Sequence, residues 1–122
     1  MSAKTIYILK LVRGKFYVGK SNDPVKRFQS HLNGKGSVWT RIHKPLGIEK
    51  VILCASPFDE DRYTKEYMHM YGIDNVRGGS YSNVILDKPQ VDSILREIWW
   101  ATDRCSECGS TSHFVSDCPE IN

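Results

Sequence analysis

The chain has 122 residues, room for one small domain and a short appendage. Its composition, 40% hydrophobic and 25% charged, is that of a folded chain, and no apolar run approaches the roughly 18 residues a membrane-spanning helix needs. A net charge of +3 permits a nucleic-acid partner without demanding one.

Met1-Ser2-Ala3-Lys4 leads straight into a strand pattern, so no secretory leader is expected, and the chain is expected in an intracellular, reducing compartment, nucleus or cytoplasm. There its four cysteines read as metal ligands or buried thiols before disulfides. Ile6, Ile8, Lys10 and Val12 alternate with Tyr7, Leu9 and Leu11, which predicts a strand. Phe16-Tyr17-Val18 resumes the pattern, predicting a β-hairpin with Gly14 at its turn. Asp23-Pro24 predicts a helix start, with Val25, Phe28 and Leu32 on the apolar face and Gly34 past the end. Ser37 predicts a short capped helix carrying Val38, Trp39 and Ile42, stopped by Pro45. Ile48 to Cys54 predicts a third strand, with Cys54 a buried thiol. Ser56-Pro57 predicts a helix through Tyr63, Tyr67 and Met70 to Gly72. Residues 72–88 read as a loop around Gly78-Gly79. Pro89 then starts a final helix with an apolar stripe of Val91, Ile94, Leu95, Ile98 and Trp99. Composition changes near Thr102-Asp103, which divides the chain into a domain at 1–103 and a small module at 104–122, with Trp100 read as a buried bridge between them.

Several residues suit phosphodiester hydrolysis, which needs a base, a cation for the developing charge, and a carboxylate to hold a divalent metal. Tyr7 and Tyr17 lie on the two arms of the hairpin. Arg27 and His31 are four apart on the following helix, so their side chains emerge together at the edge of its apolar stripe. Glu66 sits mid-helix between Tyr63, Tyr67 and Met70, a costly place for a carboxylate unless a hard cation such as Mg²⁺ pairs with it. Each has a plainer reading: a strand tyrosine is usually a packing residue, and Arg, His and Glu on helices are usually solvated charges. Order and spacing make the case that no residue makes alone.

Over roughly residues 4–85 the chain resembles the GIY-YIG nuclease family. Thr5-Ile6-Tyr7 is similar to its first motif, with Thr in place of Gly, and Tyr17-Val18-Gly19 to its second, followed by Lys20. Asn22-Asp23-Pro24 leading to Arg27 is similar to the third, with His31 one turn on, and Glu66 to the metal-binding Glu of the fourth. Asn75 is the better match to the family Asn of the fifth, with Asn83 competing. The resemblance implies an α/β (α+β) fold, a central three-stranded antiparallel sheet flanked by helices. It implies hydrolysis with one catalytic Mg²⁺ or Mn²⁺ held by Glu66. Tyr17 would be the general base, aided by His31. Arg27 would steady the phosphate, Tyr7 would orient water or phosphate, and Lys20 would add positive charge.

Two further features bear on partners. Lys35, Arg41 and Lys44 surround Trp39, which reads either as a core anchor or as a surface that stacks a base. Arg77 beside Gly78-Gly79 reads as a phosphate contact or a turn cap. Near the C-terminus, Cys105, Cys108, His113 and Cys118 form C-x2-C-x4-H-x4-C, the donor set of a closed structural Zn²⁺ site. The segment resembles the CCHC zinc knuckle, and Phe114 beside His113 offers a stacking surface for single-stranded nucleic acid. The function expected is therefore a metal-dependent endonuclease, DNA being favoured over RNA, whose zinc knuckle engages nucleic acid or recruits a protein. The competing reading is a binding module on the same scaffold that does not cut. No membrane partner is expected.

Overall fold

The computed structural model describes residues 4–54 and 56–102. A first compact unit runs through Ile85 and a second begins at Leu86, earlier than the change of composition near Thr102-Asp103.

Strand β1 (Thr5–Leu11) and strand β2 (Phe16–Ser21) form the predicted antiparallel hairpin, pairing Thr5 with Ser21 and Lys10 with Phe16. Val12 belongs to the turn rather than the strand, and both Arg13 (φ 62°) and Gly14 (φ 70°) adopt left-handed backbone there. Strand β3 (Pro45–Leu53) lies on the other side of β1, starting three residues before the predicted boundary.

The sheet has four strands, not three. Its order is β3-β1-β2-β4, and β4 (Val76–Gly78) runs parallel to β2 from within the segment read as loop. Three residues are too few to show alternation. The parallel pairing is made by a crossover through helix α3 (Asp59–Tyr71), which no local pattern announces. Gly78 permits it: a Cβ there would run into the Val18 carbonyl. Because β4 pairs only with Phe16, Tyr17 and Val18, β2 from Gly19 onward has no strand on that side among the described residues.

Helix α1 (Pro24–Leu32) is capped as predicted, the Asp23 carboxylate accepting from the Lys26 amide at 3.1 Å. Helix α2 (Val38–Ile42) begins under Ser37, whose Oγ accepts from the Thr40 amide at 3.2 Å. Helix α3 (Asp59–Tyr71) starts two to three residues later than the sequence suggests, because the Ser56 amide donates to Asp59 (3.1 Å) to form a turn ahead of it. Cys54 is only half-buried, its thiol donating to the Ser56 carbonyl.

By the alternation of a strand, Tyr7, Leu9 and Leu11 share one face of the sheet and Ile6 and Ile8 the other. The first three pack with Trp39, Phe28 and Ile48. On the opposite face Phe16 lies edge-on to Tyr67 and stacks on Tyr71 of α3.

In the second unit, helix α4 (Lys88–Ala101) starts one residue before Pro89, under a capping box of Asp87 and Gln90. Trp100 is 68% exposed, so it does not take the buried bridging place the sequence suggested. Cys105, Cys108, His113, Phe114 and Cys118 lie outside the described residues.

Candidate active site

The hairpin register sets the site. Tyr7 pairs with Gly19 and Tyr17 with Leu9, so the two tyrosines stand diagonally on one face, their ring centroids 6.3 Å apart. The Tyr7 ring lies over Gly19, where any Cβ would overlap it. Glycine at 19 is thus what allows the buried Tyr7 to reach the free edge of β2 with its phenol.

Helix α1 brings a third ring. His31 lies 4.9 Å from the Tyr17 ring and 5.9 Å from that of Tyr7. It is buried, while Val25 and Leu32, read as the inward face, are exposed. The face of the sheet beneath the helix carries two phenols, and the helix turns its imidazole rather than its aliphatic side chains toward them. His31 Nε2 is 3.0 Å from Tyr7 Oη, and Nδ1 is 2.9 Å from Thr40 Oγ1. Gly36 makes room, since a Cβ there would collide with the imidazole. His31 therefore partners Tyr7 by hydrogen bond and Tyr17 only by ring contact.

Burial and the neighbouring Arg27 charge push His31 down to about 4. Its contribution to stability is present above about pH 6.5. It is lost as pH falls toward 4, where the unfolded chain binds a proton that the folded chain excludes. The unfolding free energy from urea titration is expected to fall by at most roughly 3 kcal/mol across that window, and His31→Gln to flatten the fall. An equally steep fall in the variant would sink this assignment.

Burial raises the pKa of both tyrosines. For Tyr7 the neighbouring exposed Arg27 guanidinium works against it. Tyr17 is pushed up to about 12 by burial and by Tyr7 and Glu60, against the Arg27 charge and the Ser37 hydroxyl. The carboxylate whose field reaches both phenols is thus Glu60. Burial raises Glu60 too, Lys20 lowers it and Asp61 raises it. Lys20 belongs to the opposite face of β2 from Tyr17, at the free edge, and acts through Glu60.

Glu66 is exposed, and the phenol that feels its charge is Tyr67, beside Glu49. Six residues of helix set Glu60 and Glu66 about 120° apart around the axis and about 9 Å along it, so the two meet different neighbours. Asn75 is away from the tyrosines. It accepts from Lys15 Nζ and donates to the Tyr71 carbonyl, both at 2.6 Å, tying the end of α3 to the start of β2. Asn83 has an exposed side chain, and its carbonyl accepts from Arg77 Nε at 2.8 Å.

Two residues read as nucleic-acid contacts are core instead. Trp39 is buried and its indole donates to the Phe16 carbonyl at 2.9 Å. Arg77 is 3% exposed, its guanidinium donating to the carbonyls of Ile73, Val76, Asn83 and Val84 and lying 4.8 Å over the Trp39 ring. A buried arginine with four of its five N–H donors on backbone carbonyls is a structural tie and not a surface contact for phosphate. Lys35, Arg41 and Lys44 are exposed. Sequence reading missed Glu60, Gly36 and Thr40 as site residues and took Ser37 for a cap alone. The Gly36-Ser37 turn was visible, but not what it faces.

Among the described residues no group of three or more His, Cys, Asp or Glu side chains could hold a metal ion. A single carboxylate still fits Mg²⁺, which is commonly held by one or two carboxylates together with substrate phosphate. Glu60 suits this role because a desolvated carboxyl beside a second acid gains from an added cation. Among the described residues no helix is long and apolar enough to cross a membrane.

The family description "GIY-YIG catalytic domain" matches residues 3–68, more than half of the chain. The chain is similar to a UPF0213 protein of Fusobacterium nucleatum, 41% identical over 42% of this chain and 51% of that one. It is likewise similar to UPF0213 proteins of Xanthomonas campestris (42% identical; 35% of this chain, 42% of that one) and Cupriavidus necator (38% identical; 38% and 51%). The chain spans about half the length, or less, of these curated relatives. No solved structure matches it.

Proposed function

From the premise that the chain belongs to the GIY-YIG catalytic-domain family, a nuclease-type family, we propose that it is an endonuclease hydrolysing nucleic-acid phosphodiesters, DNA before RNA. The observation that carries the reading is the meeting of Tyr7, Tyr17 and His31 on one sheet face, with the Arg27 charge beside the Tyr7 phenol. Burial raises both phenols, so the choice of base rests on geometry, and it is Tyr7 whose oxygen lies 3.0 Å from an imidazole nitrogen that would take its proton, with the Arg27 charge favouring the phenolate. Tyr17 serves to hold water or phosphate. Arg27, exposed at the mouth of the site, meets the phosphate. Glu60 is the residue that would hold Mg²⁺ or Mn²⁺, and the ion would supply charge neutralisation at the leaving oxygen.

Lys35, Arg41 and Lys44 lie on the exposed surface near α2 and suit backbone phosphates. The Cys105, Cys108, His113, Cys118 set is proposed as a structural zinc knuckle that engages nucleic acid through Phe114, recruitment of a protein being the alternative. The test is a panel of branched, nicked, duplex and single-stranded DNA, with matched RNAs, in Mg²⁺ or Mn²⁺. It is run on the full chain and on one ending at residue 103, with zinc content measured. Metal-dependent cutting of one class is expected, with one zinc in the full chain and weaker substrate binding by the shorter one. Binding without cutting of any class would replace the enzyme with a binding module, and a zinc-free full chain would remove the knuckle.

A further inference from the structure

His31 is engaged at both ring nitrogens, Nε2 by Tyr7 Oη and Nδ1 by Thr40 Oγ1. A neutral imidazole carries one N–H, so the nitrogen that bears it decides which neighbour can hand the ring a proton. Thr40 resolves the choice. Its hydroxyl donates its one proton to the Ser37 carbonyl at 3.0 Å, which leaves only lone pairs toward Nδ1. Nδ1 therefore donates, and Nε2 accepts.

The Arg27 charge agrees with this, since it favours the phenolate that Tyr7 becomes when its proton passes to Nε2. Among the described residues, every buried side-chain nitrogen and oxygen has a partner. Ser37 Oγ secures the turn before α2, accepting from the Thr40 amide at 3.2 Å and lying 3.3 Å from Thr40 Oγ1.

We infer that Thr40 and Ser37 are positioning residues of the active site. Thr40 holds His31 as the neutral Nδ1–H tautomer, so that Nε2 stands open to the phenolic proton of Tyr7. Ser37 anchors Thr40, its carbonyl taking the hydroxyl proton and its Oγ the Thr40 amide. In the step served, the Tyr7 Oη–H bond breaks and a His31 Nε2–H bond forms. The products are a phenolate beside Arg27 and an imidazolium whose Nδ1–H remains on Thr40. No other group gains or loses a proton. The inference rests on the endonuclease reading for its purpose, but not for its first test.

That test is long-range ¹⁵N–¹H NMR of the His31 ring in the full chain. The wild type and Thr40→Ser are expected to show a protonated Nδ1 and a bare Nε2. Thr40→Val keeps the shape of the side chain but not the acceptor, and is expected to lose that pattern. Ser37→Ala, which removes the Oγ that holds the Thr40 amide but keeps the carbonyl that takes the hydroxyl proton, is expected to weaken it only in part. In cleavage, Thr40→Val is expected to lose about 10²-fold in kcat with KM unchanged, and Thr40→Ser to recover most of it. A wild-type ring protonated on Nε2, or a Thr40→Val ring unchanged from wild type, overturns the inference. The expected tautomer in a chain that cuts no substrate supports the clamp and overturns the endonuclease reading instead.

Discussion

Tyr7→Phe is expected to slow cleavage by about 10²- to 10⁴-fold, the range that a positioned acid or base supplies. The substitution keeps the ring over Gly19 and removes one oxygen. That oxygen is the partner of His31 Nε2 and the atom whose charge Arg27 would stabilise. Its loss leaves a buried imidazole nitrogen unpaired, at a cost of about 1–3 kcal/mol, so the folded fraction is checked by circular dichroism beside the rate. Tyr17→Phe is expected to lose less, because His31 meets its ring but gives its nitrogens to Tyr7 and Thr40. Single-turnover rates of the two variants separate the assignments. A crippled Tyr17→Phe beside an active Tyr7→Phe would return the base to Tyr17, where family resemblance placed it.

Glu60→Gln is expected to remove metal-dependent cutting, and Glu66→Gln to leave it within about threefold. A metal ion worth several kcal/mol to the transition state corresponds to about 10²- to 10³-fold in rate. Glu60 is the carboxylate whose charge reaches Tyr7, Tyr17 and Lys20, while that of Glu66 is felt by Tyr67. Glutamine keeps the size and polarity of either side chain, so the comparison isolates charge. Cleavage titrated with Mg²⁺ reads it directly: the Glu60 variant should need far more metal or fail at any concentration. An inactive Glu66→Gln with an unaffected Glu60→Gln would restore the assignment made from motif position.

The two carboxylates mark where one-dimensional reading ends. Both lie on α3 within seven residues, and the motif spacing favours the later one. Which of them meets the tyrosines depends on how the helix is rotated over the sheet, and six residues of helix turn one of them away. The same holds for α1. Its apolar residues suggested an inward face of Val25, Phe28 and Leu32, but what the helix faces is two phenols, and His31 is drawn inward in place of Leu32.

Local chemistry was legible wherever a residue acts on its own neighbours. The β-branched alternation of β1 and β2, the Asp23-Pro24 start of α1, the Ser37 cap and the order of the family motifs all follow from contacts a few residues apart. Tertiary structure decided what depends on distant chain segments. It added β4 beside β2 and buried Arg77 against Trp39. It also brought Thr40 to His31, nine residues away, and His31 to Tyr7, twenty-four residues away. A sequence states which donors and acceptors exist. Only the packed chain states which of them share a buried space, and there each must find its partner.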